Sequence, residues 1–238
     1  SKQLKINTII YMHGKFTKNS KILKKTFFSK YLVWSNFFLK QLLKANNKYS
    51  KKNIKIVGCP YLVIPNKLKK KIKNIKVKKC LILDEDYVNF TEIKNYLDKL
   101  IKIKNINLYL KKKITRKLPN EYEIYCKKNN IKIINENLNL GKILEKYKIN
   151  CLIATTSTGL IECSYYGVVP VKINSKNRFR EKEFNEFLRL NLVYNVSSPS
   201  KINKFFEKKY KTKSIDKIKN ILWSNHTFSE KKIKKYIL

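Results

Sequence analysis

The sequence predicts an α/β fold in which helices cover parallel sheets. Two observations carry that reading. Apolar runs of four to six residues, rich in Ile, Leu, Val and Tyr, recur along the chain between polar or turn residues. Between them lie stretches whose apolar residues return every three to four positions. Strand–helix–strand alternation requires crossover connections, and these put helices on both faces of a parallel sheet.

In chain order, the strand candidates are residues 8–12 (TIIYM), 31–34 (YLVW), 54–57 (IKIV), 80–83 (CLIL), 107–110 (NLYL), 131–134 (IKII), 151–154 (CLIA) and 168–173 (VVPVKI). Thr91 is the candidate cap of a helix whose Ile93, Tyr96, Leu97, Leu100 and Ile101 share one face. Residues 37–43 (FFLKQLL), 138–147, 158–166 and 202–210 carry the same spacing. The stretch 181–190 (EKEFNEFLRL), residues 192–196 and the tail 214–238 read as closing elements, with Ser200 a candidate cap and Ile215, Ile218, Ile221 and Leu222 a core face.

A break follows Gly58-Cys59-Pro60. Residues 67–79 (KLKKKIKNIKVKK) hold eight Lys in thirteen positions without a clean apolar face, which predicts an exposed connector with at most one helical turn. The expected organisation is therefore 1–66, the connector 67–79, and 80–238. Only three strand candidates precede the break and the first opens almost at Ser1, so the front lobe is expected to be incomplete.

Composition bounds the function more than it names it. The 238 residues carry 55 Lys and Arg against 16 Asp and Glu, a formal net charge of +39, with 43% hydrophobic and 12% aromatic residues. That apolar content supports a core and excludes wholesale disorder. No apolar run reaches the ~20 residues of a membrane-spanning helix, and no signal-peptide pattern opens the chain. The charge suggests nucleic acid, yet only Arg116, Arg178, Arg180 and Arg189 are arginines. Bidentate readout of guanine or phosphate favours the planar guanidinium over ammonium. Lysine spread evenly beside abundant Ile and Asn has the character of an AT-rich coding sequence, and predicts no specific nucleic-acid partner. Cys59, Cys80, Cys126, Cys151 and Cys163 are odd in number and lack a CxxC pair, which fits a reducing compartment without a disulfide framework or zinc site.

The segment 150–174 (NCLIATTSTGLIECSYYGVVPVKIN) is the richest in chemistry. An apolar strand runs into Thr155-Thr156-Ser157-Thr158-Gly159, then a helix, then Gly167-Val168-Val169-Pro170 and another strand. Hydroxyls and unpaired N–H groups at a helix start suit a phosphate, and Gly159 allows close backbone approach. Glu162 lies one turn beyond Thr158, within reach of a ribose or sugar hydroxyl. An ordinary N-cap followed by a solvent-facing glutamate has the same sequence.

Ser157, Thr158, Glu162, Gly167 and Pro170, in this order after a strand, resemble the donor-binding lobe of GT-B glycosyltransferases, especially those of bacterial capsule and surface polysaccharides. Residues 9–16 (IIYMHGKF) resemble the strand and His-Gly of the acceptor-side lobe, 30–43 its next strand and helix, and 54–60 its closing strand and turn. The resemblance spans roughly residues 6–175. It implies two Rossmann-like lobes, the first incomplete. It further implies a metal-independent transferase with no cofactor beyond a nucleotide-activated sugar, acting on a glycan or lipid-linked acceptor. The expected location is cytoplasmic, peripheral on an anionic inner membrane face. In that frame Ser157, Thr158, Gly159 and Glu162 bind the donor.

His13 follows a strand and precedes Gly14. Imidazole titrates near neutral pH and can take the proton of an attacking acceptor hydroxyl, and the resemblance puts the base at this His-Gly; a strand-end His bonded to backbone is the alternative. Lys111, in 108–113 (LYLKKK), stands where related enzymes carry Lys-x-His-Pro. It can meet a diphosphate as a point charge or be one of a solvated lysine cluster. The absent His-Pro, and Ala154 where an EX7E pair would put its first Glu, raise the alternative of a degenerate transferase. Asp84-Glu85-Asp86 after a strand also resembles the metal-binding Asp-x-Asp of GT-A enzymes. The segment 150–174 has no place in that architecture, so an acidic loop is expected here. A nucleotide-sugar epimerase or hydrolase of the same architecture, and a non-catalytic polyanion-binding module, are the remaining alternatives.

Overall fold

A computed structural model describes residues 8–12, 16–59, 74–86, 88–113, 117–213, 218 and 233–235. The chain divides into two units, Ser1–Ile64 with Asp216–Leu238, and Pro65–Ile215.

In the first unit, β1 (Ile9–Tyr11), β2 (Lys30–Val33) and β3 (Ile54–Ile56) form a parallel sheet in the order β1-β2-β3. Helix α1 (Lys21–Lys25) precedes β2, and α2 (Asn36–Ala45) links β2 to β3. Tyr31 sits in register between Ile10 and Ile54. Phe38, Gln41, Leu42 and Ala45 are the buried face of α2, at i, i+3, i+4 and i+7. Phe16 packs edge-on against both Tyr31 and Phe38. The buried Trp34 indole N–H donates to the Met12 carbonyl at 3.0 Å, tying the ends of β1 and β2 together.

The second unit is built on β5 (Lys79–Leu83), α3 (Phe90–Leu100), β6 (Asn107–Lys111), α4 (Asn120–Lys128), β7 (Lys132–Ile134), α5 (Leu140–Lys146), β8 (Cys151–Ala154), α6 (Gly159–Glu162), β9 (Val169–Ile173), α7 (Arg178–Arg189) and β10 (Tyr194–Val196). A 3₁₀ turn, Cys163–Tyr166, continues α6, and Gly167 at φ +67° ends it in a left-handed conformation that glycine adopts without strain. The six strands are all parallel, in the order β10-β9-β8-β5-β6-β7. The chain thus starts in the middle, winds outward to β7, returns to β8 beside β5 and winds the other way: a doubly wound sheet. Strands β8 and β9 are buried throughout; β8 is a continuous apolar run and β9 is apolar but for Lys172, as expected of strands covered on both faces. The antiparallel pair β4 (Asn74–Ile75) and β11 (Tyr210–Lys211) and helix α8 (Ile202–Phe206) complete the unit.

The α/β class and all eight expected strands are present, with ends shifted by at most one residue. Several elements differ from expectation. The cap of α3 is Asn89, not Thr91, because Glu92 at the third helical position reaches back to the Asn89 N–H at 3.5 Å. The 67–79 connector ends in structure: β4 pairs with β11, Val77 is buried and Lys79 opens β5, while residues 60–73 lie outside the described ones. The helix expected over 202–210 stops at Phe206, because Tyr210 joins β11 and stacks its ring on Phe205 at 3.9 Å. Helix α4 shows no clear apolar period in the sequence because it buries only Tyr122 and Cys126. Strand β10 lies in the stretch read only as a closing element, and α1 is too short to show a period.

Candidate functional site

Parallel register puts the C-terminal ends of β5 and β8 side by side, Ile82 opposite Ile153. The sheet's winding reverses between these strands, and a crevice at such a point is where doubly wound sheets take ligands. Asp84 and Glu85 leave β5 there; Thr155 to Gly159 leave β8.

Glu85 is buried and aims its carboxylate into the turn after β8. One oxygen accepts from the Thr155 N–H at 2.6 Å and the Thr155 hydroxyl at 2.7 Å, and the other accepts from the Thr156 N–H at 3.1 Å. These are charge-assisted bonds to groups that would otherwise receive an external anion. The first donors of the 155–159 turn therefore already serve an anion from this chain. Ser157 and Thr158 come next, and both are half-buried. The Ser157 hydroxyl oxygen accepts from the Gly159 N–H at 3.1 Å, while the Thr158 carbonyl accepts from the N–H groups of Ile161 and Glu162. Among the described residues, the N–H groups of Ser157 and Thr158 have no protein acceptor. Gly159 serves close approach in a specific sense: a Cβ there would stand 2.9 Å from Leu140 Cδ2 and 3.0 Å from Leu83 Cδ1.

Glu162 follows one turn along α6. Among the described residues its carboxyl has no hydrogen-bond or ion-pair partner, and burial pushes it up to about 7. Tyr166, four residues on, lies over α5 where Gly141 leaves room, since a Cβ at Gly141 would fall 2.0 Å from the Tyr166 hydroxyl oxygen. Burial raises the Tyr166 phenol, and the nearby Glu162 and Glu145 carboxylates push it further.

Lys111 ends β6 in register with Leu83, at the same edge of the sheet and one strand beyond β5. Its ammonium is half-buried, and desolvation lowers its pKa. The acidic loop uses its carboxylates separately. Asp84 accepts from the Lys113 backbone N–H at 3.3 Å, Asp86 pairs with the Lys113 ammonium, and Glu85 turns into β8. Among the described residues, no cluster of three or more Asp, Glu, His or Cys side chains is arranged to hold a metal ion. His13 lies outside the described residues, just beyond the end of β1 and Met12.

The sequence reading passed over a buried lysine at this edge. Lys172, on β9, is fully buried and its ammonium pairs with Glu181 of α7 at 2.5 Å while donating to Asn174 Oδ1 at 3.1 Å. Burial lowers the Lys172 pKa, opposed by Glu181 and more distantly by Glu85. A lysine inside an apolar strand (VVPVKI), nine residues before Glu181, was the available signal. Glu181 also accepts from the Ser175 N–H at 2.8 Å, and Glu92 accepts from the Lys176 N–H at 2.6 Å. Together they fix the loop after β9 against α3, beside a cavity of about 280 Å³ lined by Thr91, Glu92, Tyr96, Asn174, Lys176 and Pro199.

No protein-family profile matches the sequence, and no curated protein matches it. Solved structures do show similarity. The apo form of the lipopolysaccharide outer core galactosyltransferase WaaB aligns with a TM-score of 0.44 at 16% identity, over 88% of this chain and 61% of that one. A glycosyltransferase from Rickettsia africae aligns with a TM-score of 0.44 at 16% identity, over 96% of this chain and 69% of that one. The spinosyn rhamnosyltransferase SpnG aligns with a TM-score of 0.43 at 10% identity, over 83% of this chain and 50% of that one. The chain spans about three-fifths of the length of WaaB.

Proposed function

We propose that this chain is a glycosyltransferase of GT-B type, moving a sugar or a glycerol-phosphate-like group from a nucleotide-activated donor to a glycan or lipid-linked acceptor of a cell-surface polymer. The observation that carries this reading is the pairing of unserved Ser157 and Thr158 N–H groups with an unpaired Glu162 one turn away, at the reversal point of a doubly wound sheet.

The chemistry assigned to each group follows from its surroundings. Glu85 satisfies Thr155 and Thr156, so the donor phosphates meet the N–H and hydroxyl groups of Ser157 and Thr158. Glu162, once ionised, accepts from a ribose or sugar hydroxyl. Lys111 offers a positive charge to the same phosphates from the neighbouring strand. His13 takes the proton of the acceptor hydroxyl as its oxygen bonds to the transferred group and the bond to the nucleotide phosphate breaks. No metal or further cofactor enters this scheme.

A thermal-shift panel of UDP, GDP, CMP, CDP-glycerol and their sugar conjugates tests the reading. At least one nucleotide should stabilise the full chain, and Ser157→Ala and Glu162→Ala should each weaken that ligand about tenfold, equivalent to one lost hydrogen bond to a charged group. His13→Ala should lower turnover while leaving nucleotide affinity nearly unchanged. Unaltered titrations in both donor-side variants remove the assignment, and release of free sugar without acceptor replaces it with the hydrolase or epimerase reading.

A further inference from the structure

The acidic residues are distributed unevenly. Residues 1–83 contain 22 Lys and no Asp, Glu or Arg, so all 16 carboxylates of the chain lie from Asp84 onward. Residues 1–64 of the first unit belong to this carboxylate-free stretch, while its segment 216–238 carries Asp216 and Glu230; within 1–64 one sheet edge gathers lysines around apolar side chains. The Asn46 side chain donates to the carbonyls of Leu23 and Thr26 at 2.8 and 2.9 Å, and the Tyr49 hydroxyl oxygen accepts from the Phe28 N–H at 3.0 Å. These bonds bring the segment after α1 against the turn after α2, both at the N-terminal edge of the sheet. Lys24 and Lys25, at the end of α1, and Lys48, Lys51 and Lys52, in the turn after α2, are all exposed. Among them Phe27 is 48% exposed, its ring 5.0 Å from that of Tyr49. Ile9 is exposed at the same edge, in register with Lys30. Ile9, Phe27 and Ile124 are the exposed large apolar side chains among the described residues, and two of them share this edge. The C-terminal strand ends at Tyr11, Val33 and Ile56 are at the opposite edge.

We propose that this edge docks the protein on an anionic lipid bilayer. Ammonium groups near an anionic surface each contribute favourably, and an exposed aromatic ring gains by entering the interfacial region. A nucleic acid would be met through paired donors of arginine and would leave Phe27 unused, and this edge has no arginine. The inference does not depend on the donor site, since none of these residues belongs to it.

Co-sedimentation of the full chain with phosphatidylcholine vesicles, with and without phosphatidylglycerol, tests it. Binding should require the anionic lipid and fall as salt rises. Lys51→Ala and Lys52→Ala should each lower the partition coefficient about fivefold, and Phe27→Ser about tenfold. All three positions are exposed, so circular dichroism should find the variants folded, and their nucleotide affinity should equal that of the parent chain. Equal binding to neutral vesicles, or binding untouched by these substitutions, overturns the proposal. So does an absence of vesicle binding alongside salt-sensitive, substitution-sensitive binding to duplex DNA or RNA. Failure of every nucleotide to bind would refute the donor site and leave the vesicle result standing.

Discussion

The buried Glu162 carboxyl costs the fold stability once it ionises. A carboxyl held at about 7 binds its proton more tightly folded than unfolded, where a glutamate titrates near 4.3. Such a group adds no penalty below the unfolded value. As pH rises from there through 7 the unfolded state loses its proton first, and stability falls. Glu162→Gln should therefore leave stability unchanged at pH 4 and raise it at pH 8. The expected gain is on the order of 2 kcal/mol, after discounting for the solvent that the half-buried group retains. Chemical denaturation at the two pH values checks this; equal effects at both would mean that the carboxyl titrates normally. Glu85 is buried too, and its carboxyl oxygens accept from two backbone N–H groups and a hydroxyl. A ligand can recompense the first carboxylate, whereas the fold already satisfies the second.

At the scale of elements, the helices on the α5–α6 face depend on glycines whose reasons differ. Gly141 lies under the Tyr166 ring, and an alanine there must displace it. Gly141→Ala should cost about 1–3 kcal/mol as overpacking. In a Tyr166→Ala background the same substitution should instead gain up to about 1 kcal/mol, because alanine is the better helix former. A double-mutant cycle by urea denaturation reads that sign change, and additivity would contradict the packing account. Element legibility follows from the same physics. The buried strands announced themselves through unbroken runs such as CLIL and CLIA, because burial on both faces favours apolar side chains at successive positions. Strands β4 and β11 did not, since two residues carry no period and their pairing rests on the Phe205–Tyr210 stack. The hydroxyl-rich turn after β8 was visible as a motif. That Glu85 occupies part of it, and that Lys172 lies buried behind it, depends on contacts 70 and 9 residues apart in sequence that no local pattern records.

For the whole molecule, the net charge of +39 means less as a total than as a distribution. The second unit interleaves lysines with carboxylates in pairs such as Lys94–Asp98, Lys127–Glu123 and Lys146–Glu136. Exposed pairs of this kind contribute little to stability. The stretch before Asp84 has no carboxylate to pair with. The proposed lipid-docking edge lies in one unit and the proposed donor turn in the other, and the donor turn is the claim on which the rest of the functional account stands. Isothermal titration of the stabilising nucleotide sugar into the full chain at pH 7, repeated in buffers of different ionisation enthalpy, tests that turn most directly. Binding should release about half a proton as the Glu162 carboxyl is captured in its ionised form, and Glu162→Gln should bind about tenfold more weakly with no proton released. Binding without proton release in the parent chain, or the same release from the Gln variant, would contradict it.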